Sequence, residues 1–68
     1  MSEKQLLQGR EVIIEFYQIG HVVKVSAMDT ATLTEASIQG PANTPESTLK
    51  NNALKRLEYV LRKKGILS

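Results

Sequence analysis

Cysteine is absent from this chain, which removes disulfides and thiolate-held metals in one step. The lone His21 cannot assemble a metal site without carboxylate help. No apolar run approaches the roughly 20 residues that span a bilayer, so no membrane role is expected. The opening "MSEKQLLQGR" lacks the apolar core of a signal peptide. Together with the missing cysteine, this sets a cytoplasmic location as the expectation. The four glycines are scattered punctuation, so no phosphate-cradling loop is present. Repeats and low-complexity segments are lacking as well. A formal charge of +2 is too mild to imply nucleic acid by itself.

What remains is one small domain over residues 1–68. A chain of this size buries only about 60% of the surface it exposes when unfolded. Without disulfides or a metal, oligomerisation is the stabiliser left to it.

Three stretches alternate as strands do. In "EVIIEFYQI" (11–19), Val12, Ile14 and Phe16 oppose Glu11, Glu15 and Tyr17. In "HVVKVSAM", Val23, Val25 and Ala27 share a side, and in "LTEASIQ" Ala36 and Ile38 do. Proline at position 41 stops the third, because it cannot donate to a ladder. Taking Ile19-Gly20 as a two-residue turn pairs Phe16 with Val23, Ile14 with Val25, Val12 with Ala27 and Glu15 with Lys24. Closing the second connection over 29–32 pairs Val25 with Ala36, Val23 with Ile38 and Met28 with Leu33.

The remainder, "TPESTLKNNALKRLEYVLRKKG", predicts a helix over 45–64. Thr44 is its expected N-cap, and Pro45 takes the first helical position. Glu46 complements the helix dipole at that end. At about 100° per residue Leu49, Ala53, Leu54, Leu57, Val60 and Leu61 form one stripe. Gly65 is a ready C-cap, and 65–68 form a tail. Residues 1–9 are expected to fray or to form one helical turn capped by Ser2. The predicted fold is α+β: a three-stranded antiparallel meander over 11–40, in the order β-β-β-α, with the helix packed across one face.

The segments "EFYQIGHVVKVSAMD", "IQGP" and "NALKRLEYVLRKKG" resemble a family of short uncharacterised bacterial proteins classed only as a domain of unknown function. The resemblance spans most of residues 15–65. It implies a sheet-plus-helix module and brings no activity. The family pattern places a Thr-Gly pair after the Asp of the second turn, where this chain reads Thr32-Leu33, so a differently built turn is expected.

No enzymatic chemistry is expected. His21 and Asp29 fall at opposite ends of the sheet, so with Ser26 and Ser37 they cannot form the contacts a triad needs. Glu11, Glu15 and Glu35 share the outer face with Lys24, which favours charge pairing over a cation site. No cofactor, metal or small-molecule substrate is indicated. The outer face is half apolar, with Ile13, Tyr17, Val22, Met28 and Leu33 interrupting its charges, and Ile66 and Leu67 follow the helix stop with nothing assigned to cover them. These seven are the candidate interface of a binding and assembly module, a homodimer or higher homo-oligomer.

The alternative is a weak RNA- or DNA-binding domain using Lys55, Arg56, Arg62, Lys63 and Lys64. A three-stranded antiparallel sheet followed by a helix, with a short helical turn before it if residues 1–9 form one, is the order of double-stranded-RNA-binding domains, whose lysines cluster at the start of the last helix. Here that start holds Glu46 and only Lys50, and Tyr17 has no second aromatic beside it for base stacking.

Overall fold

A computed structural model describes residues 2–68. Four strands, β1 (Ser2–Leu7), β2 (Arg10–Ile19), β3 (Val22–Asp29) and β4 (Glu35–Pro41), are followed by one helix, α1 (Glu46–Lys63). The sheet is antiparallel throughout, in the order β1-β2-β3-β4, and α1 packs chiefly against β4 and β3.

The extra strand is the first correction. The predicted frayed or helical segment forms β1 instead, with residue 1 of that stretch outside the described residues. Gln8 and Gly9 both have positive φ, 53° and 79°, between the paired Leu7 and Arg10. That is the type I′ geometry whose twist suits a two-residue hairpin. "SEKQLL" shows no apolar alternation of its own, and its strand state comes from pairing with β2.

The second correction is the register. Phe16 pairs with Val25, Ile14 with Ala27, Val12 with Asp29, Glu15 with Ser26 and Tyr17 with Lys24. The turn is Gly20-His21, and Gly20 has φ 61°. Glycine at the first central position gives a type II′ turn, whereas Ile19-Gly20 would put positive φ on a β-branched residue. The two-residue slip is even, so every side chain keeps its predicted face. The β3–β4 connection shifts separately, also by two residues, because its loop extends to Thr34: Val25 meets Ile38, Ala27 meets Ala36, and Met28 meets Glu35 rather than Leu33.

The core holds Val12, Ile14, Val25, Ala27 and Ala36 from the sheet against Leu49, Ala53, Leu54, Leu57 and Leu61 from the helix. Phe16, Val23, Ile38 and Val60 pack around it, half-buried. Helix and strand pack tightly at Gly40, where an added Cβ would lie 2.7 Å from Leu49 Cδ2.

The helix boundaries depart slightly from prediction. Pro45, with ψ 139°, is itself the N-cap, and no side chain caps the first turn, so Thr44 lies one residue outside. The Pro45 carbonyl accepts from the amides of Thr48 at 3.1 Å and Leu49 at 3.2 Å. At the other end the Ile66 amide donates to Leu61 O at 2.9 Å and the Gly65 amide to Arg62 O at 3.0 Å, with Gly65 at φ 78°. This is a Schellman motif, and it folds Ile66 and Leu67 back onto the core.

Candidate functional site

With α1 on the inner face, the outer face of the sheet is covered by nothing among the described residues. Its cross-strand rows follow from the register: Ile19 with Val22, then Tyr17 with Lys24 and Gln39, then Glu15 with Ser26 and Ser37, then Ile13 with Met28 and Glu35. Ile19, Tyr17 and Val22 are 79%, 48% and 45% exposed, and together they form an apolar end to this face. A shallow trough runs down from it, lined by Glu15, Tyr17, Ile19, Val22, Lys24 and Gln39. The Tyr17 hydroxyl donates to Glu15 Oε1 at 2.9 Å, and that bond to a carboxylate holds the phenol above its ordinary pKa.

The structure divides the seven candidate interface residues into four groups. Tyr17 and Val22 sit in the apolar end, joined by Ile19, which the misplaced turn had hidden. Ile13 and Met28 are cross-strand neighbours farther along, half-buried by the side chains around them. Leu33 is not opposite Met28. It lies in the β3–β4 loop, exposed, with φ 59°, a left-handed conformation that favours glycine. Ile66 and Leu67 lie on the helix side of the molecule, half-buried against the core and apart from the outer sheet face.

The groups considered for catalysis are kept apart. Ser26 and Ser37 face each other on the outer side, His21 lies in the β2–β3 turn, and Asp29 points to the inner side. Asp29 is wholly engaged: Arg10 Nε donates to Oδ1 and Arg10 Nη2 to Oδ2, each at 3.0 Å. Thr32 adds its amide at 3.0 Å and its hydroxyl at 2.6 Å, both to Oδ2. The Arg10 hydrogen bond above all, then those from Thr32, lowers the carboxyl pKa to about 2 against an opposing cost of burial. This cluster joins the start of β2 to the β3–β4 loop. The only sign of it in sequence was an Asp with a Thr three residues on, an Asx-turn pattern. No three His, Asp or Glu side chains gather as a metal site among the described residues.

Charge is unevenly divided. Residues 1–45 carry three basic and five acidic side chains, whereas residues 46–68 carry six basic and two acidic. Of the helix cations, Lys50 pairs with Glu3 at 3.1 Å, and Arg62 pairs with Glu58 at 3.1 Å while donating to Ser68 O at 2.6 Å. Arg62, and after it Gln8, holds the Glu58 carboxyl below its usual range. Lys55, Arg56, Lys63 and Lys64 are exposed and have no acidic partner among the described residues. Lys63 Nζ lies 5.8 Å from the centroid of the exposed Tyr59 ring.

No helix among the described residues is long and apolar enough to cross a membrane. A family model described as "Domain of unknown function (DUF6898)" matches residues 9–64, from the first hairpin turn to the end of the helix. No curated protein and no solved structure matches the chain.

Proposed function

The chain belongs to the DUF6898 family, a membership that brings no activity with it, and from that premise we propose that it is a self-associating assembly module. Two copies pack through the outer faces of their sheets. The observation that carries this reading is the exposed apolar end formed by Tyr17, Ile19 and Val22 on a face that nothing among the described residues covers. A solvated sheet face ordinarily alternates to polar residues, and clustered exposed apolar groups mark interaction sites.

The charges on this face suit a copy of itself. Lys24 lines the same trough as the glutamates Glu15 and Glu35. A two-fold axis through the face brings each lysine to the partner's carboxylates, as an isologous contact requires. Principal extents of 36 and 20 Å bound the footprint at roughly 700 Å², close to the ~800 Å² per partner of a standard stable interface. Association also answers the stability problem of a 68-residue chain without disulfides, because a partner that binds only the folded form stabilises it by mass action.

Sedimentation equilibrium across a concentration series tests the reading. The wild-type mass is expected to rise above that of the monomer and the Ile19→Lys variant to remain monomeric. Ile19 is largely exposed and outside the core, so the variant is expected to fold. A wild-type protein that stays monomeric at millimolar concentration refutes the proposal.

A further inference from the structure

We propose that the solvent face of α1 binds the phosphodiester backbone of a nucleic-acid duplex, without reading its sequence. The face is built from Lys55, Arg56, Tyr59 and Lys63, with Lys64 at the helix end, all exposed. Its acidic neighbours are out of the way: Glu58 is occupied by Gln8 and Arg62, and Glu46 lies in the first turn, at the far end of the helix. Among the described residues four exposed cations have no carboxylate partner: Lys55, Arg56 and Lys63 share one side of α1, and Lys64 stands just past its end.

Helix rotation keeps Lys55, Tyr59, Lys63 and Arg56 within about 100° of arc, while Lys64 follows the last residue of α1 and adds its charge at the helix end. Lys55, Tyr59 and Lys63 are spaced by four residues, and Arg56 and Lys63 by seven. At 1.5 Å per residue the cations extend over roughly 14 Å of axis. A duplex carries one negative charge per ~1.7 Å of its own axis, so a run of this length meets phosphates wherever it is laid. The chemistry of the face also selects the partner class. Protein interfaces are depleted in lysine at their centres and built on apolar anchors. This convex face holds Tyr59 and no other large apolar side chain, and contacts to phosphate need only charge and reach. Tyr59, with Lys63 above its ring, gives a flat surface beside the cations. No second aromatic accompanies it, so stacking on successive bases is not part of the proposal. The face lies opposite the outer sheet face, so the two proposed sites do not overlap.

The test is fluorescence anisotropy with labelled DNA and RNA duplexes of unrelated sequence, titrated with the full chain over a salt series. Binding is expected to be similar for every sequence, with a log–log salt slope of about −3 to −4 for four contacts. Affinity should fall about a hundredfold between about 50 and about 200 mM salt. The triple variant Lys55→Gln, Arg56→Gln, Lys63→Gln should fold, by circular dichroism, and flatten the slope by about one unit per residue changed. The outer-face variant Lys24→Gln should bind as wild type does, and so should Ile19→Lys, whatever its effect on association. Three results overturn the proposal. One is no binding to either duplex at low salt. Another is equal binding, with the same salt slope, to poly-glutamate, which assigns the face to an acidic protein. The last is salt-sensitive self-association abolished by the triple variant without duplex binding, which assigns it to the acidic half of a second copy.

Discussion

Replacing Asp29 by Asn removes one charge from the best-connected polar group in the molecule and changes little in shape. The carboxylate accepts four hydrogen bonds, two from Arg10 and two from Thr32, which uses the acceptor capacity of its two oxygens. Asparagine has a single acceptor oxygen. If that oxygen turns to Thr32, the amide nitrogen meets the Arg10 guanidinium donor to donor; if it turns to Arg10, the Thr32 bonds are lost. A hydrogen bond to a charged group contributes about 1.5–3 kcal/mol, and leaving a buried donor unmatched costs a similar amount. Arg10 is 24% exposed and regains some water, so the net loss is set at about 2–4 kcal/mol. At 0.05–0.15 kcal/mol per residue, a chain of this size holds roughly 3–10 kcal/mol in all. With a urea dependence near 1 kcal/mol per molar for so small a domain, the midpoint should drop by about 2 M or more.

The same carboxyl supplies a second, independent readout. Its folded-state pKa of about 2 lies below the ordinary 3.8, so between these values the unfolded chain binds more protons than the folded one. Stability from this group is complete above about pH 4 to 5 and is lost as pH falls through about 2. The gap between wild type and Asp29→Asn should therefore be wide at neutral pH and narrow steadily below pH 4. Urea titrations at a series of pH values measure both effects. An unchanged midpoint at neutral pH, or a gap that does not narrow in acid, refutes the reasoning.

Leu57→Ala removes a fully buried side chain from mid-helix and should cost about 2–5 kcal/mol, whereas Tyr59→Ala should stay within about 0.5 kcal/mol in the monomer; thermal melts at low concentration that rank them the other way refute the helix phase. Leu33→Gly should stabilise the fold by about 0.5–1 kcal/mol. The left-handed cost of roughly 1–2 kcal/mol for an L side chain is removed, and the entropy of glycine returns about 0.5–1 kcal/mol of that; a lower melting temperature shows that the loop holds no strain at Leu33. Gly40→Ala places a Cβ 2.7 Å from Leu49 Cδ2 in a packed site, so chemical denaturation should show a loss of about 1–3 kcal/mol; wild-type stability would mean that Leu49 repacks freely.

The faces of β2, β3 and β4, the stripe of α1 and the glycine stop after it follow from local chemistry, and all are legible in the sequence. Alternation has period two, so the inner set from Val12 to Ile38 survived a register error of two residues. A helical stripe depends only on the rotation per residue, so Leu49, Leu57 and Leu61 needed no knowledge of the sheet. Tyr17 and Val22 could be placed on the open face for the same reason. Other features required the tertiary structure. Which two residues form the β2–β3 turn depends on backbone sign, and the choice of Gly20-His21 over Ile19-Gly20 moved every β2–β3 pair and placed Ile19 in the strand, exposed. β1 has no periodicity to read, because its strand state is supplied by the edge of β2. Asp29 can lie buried on the inner face only because Arg10, nineteen positions earlier, arrives with a matching fork. Ile66 and Leu67 looked free to meet a partner until the reversal at Gly65 returned them to the core. Local rotation and alternation determine which side of an element is apolar, and only long-range pairing decides which element that side will meet.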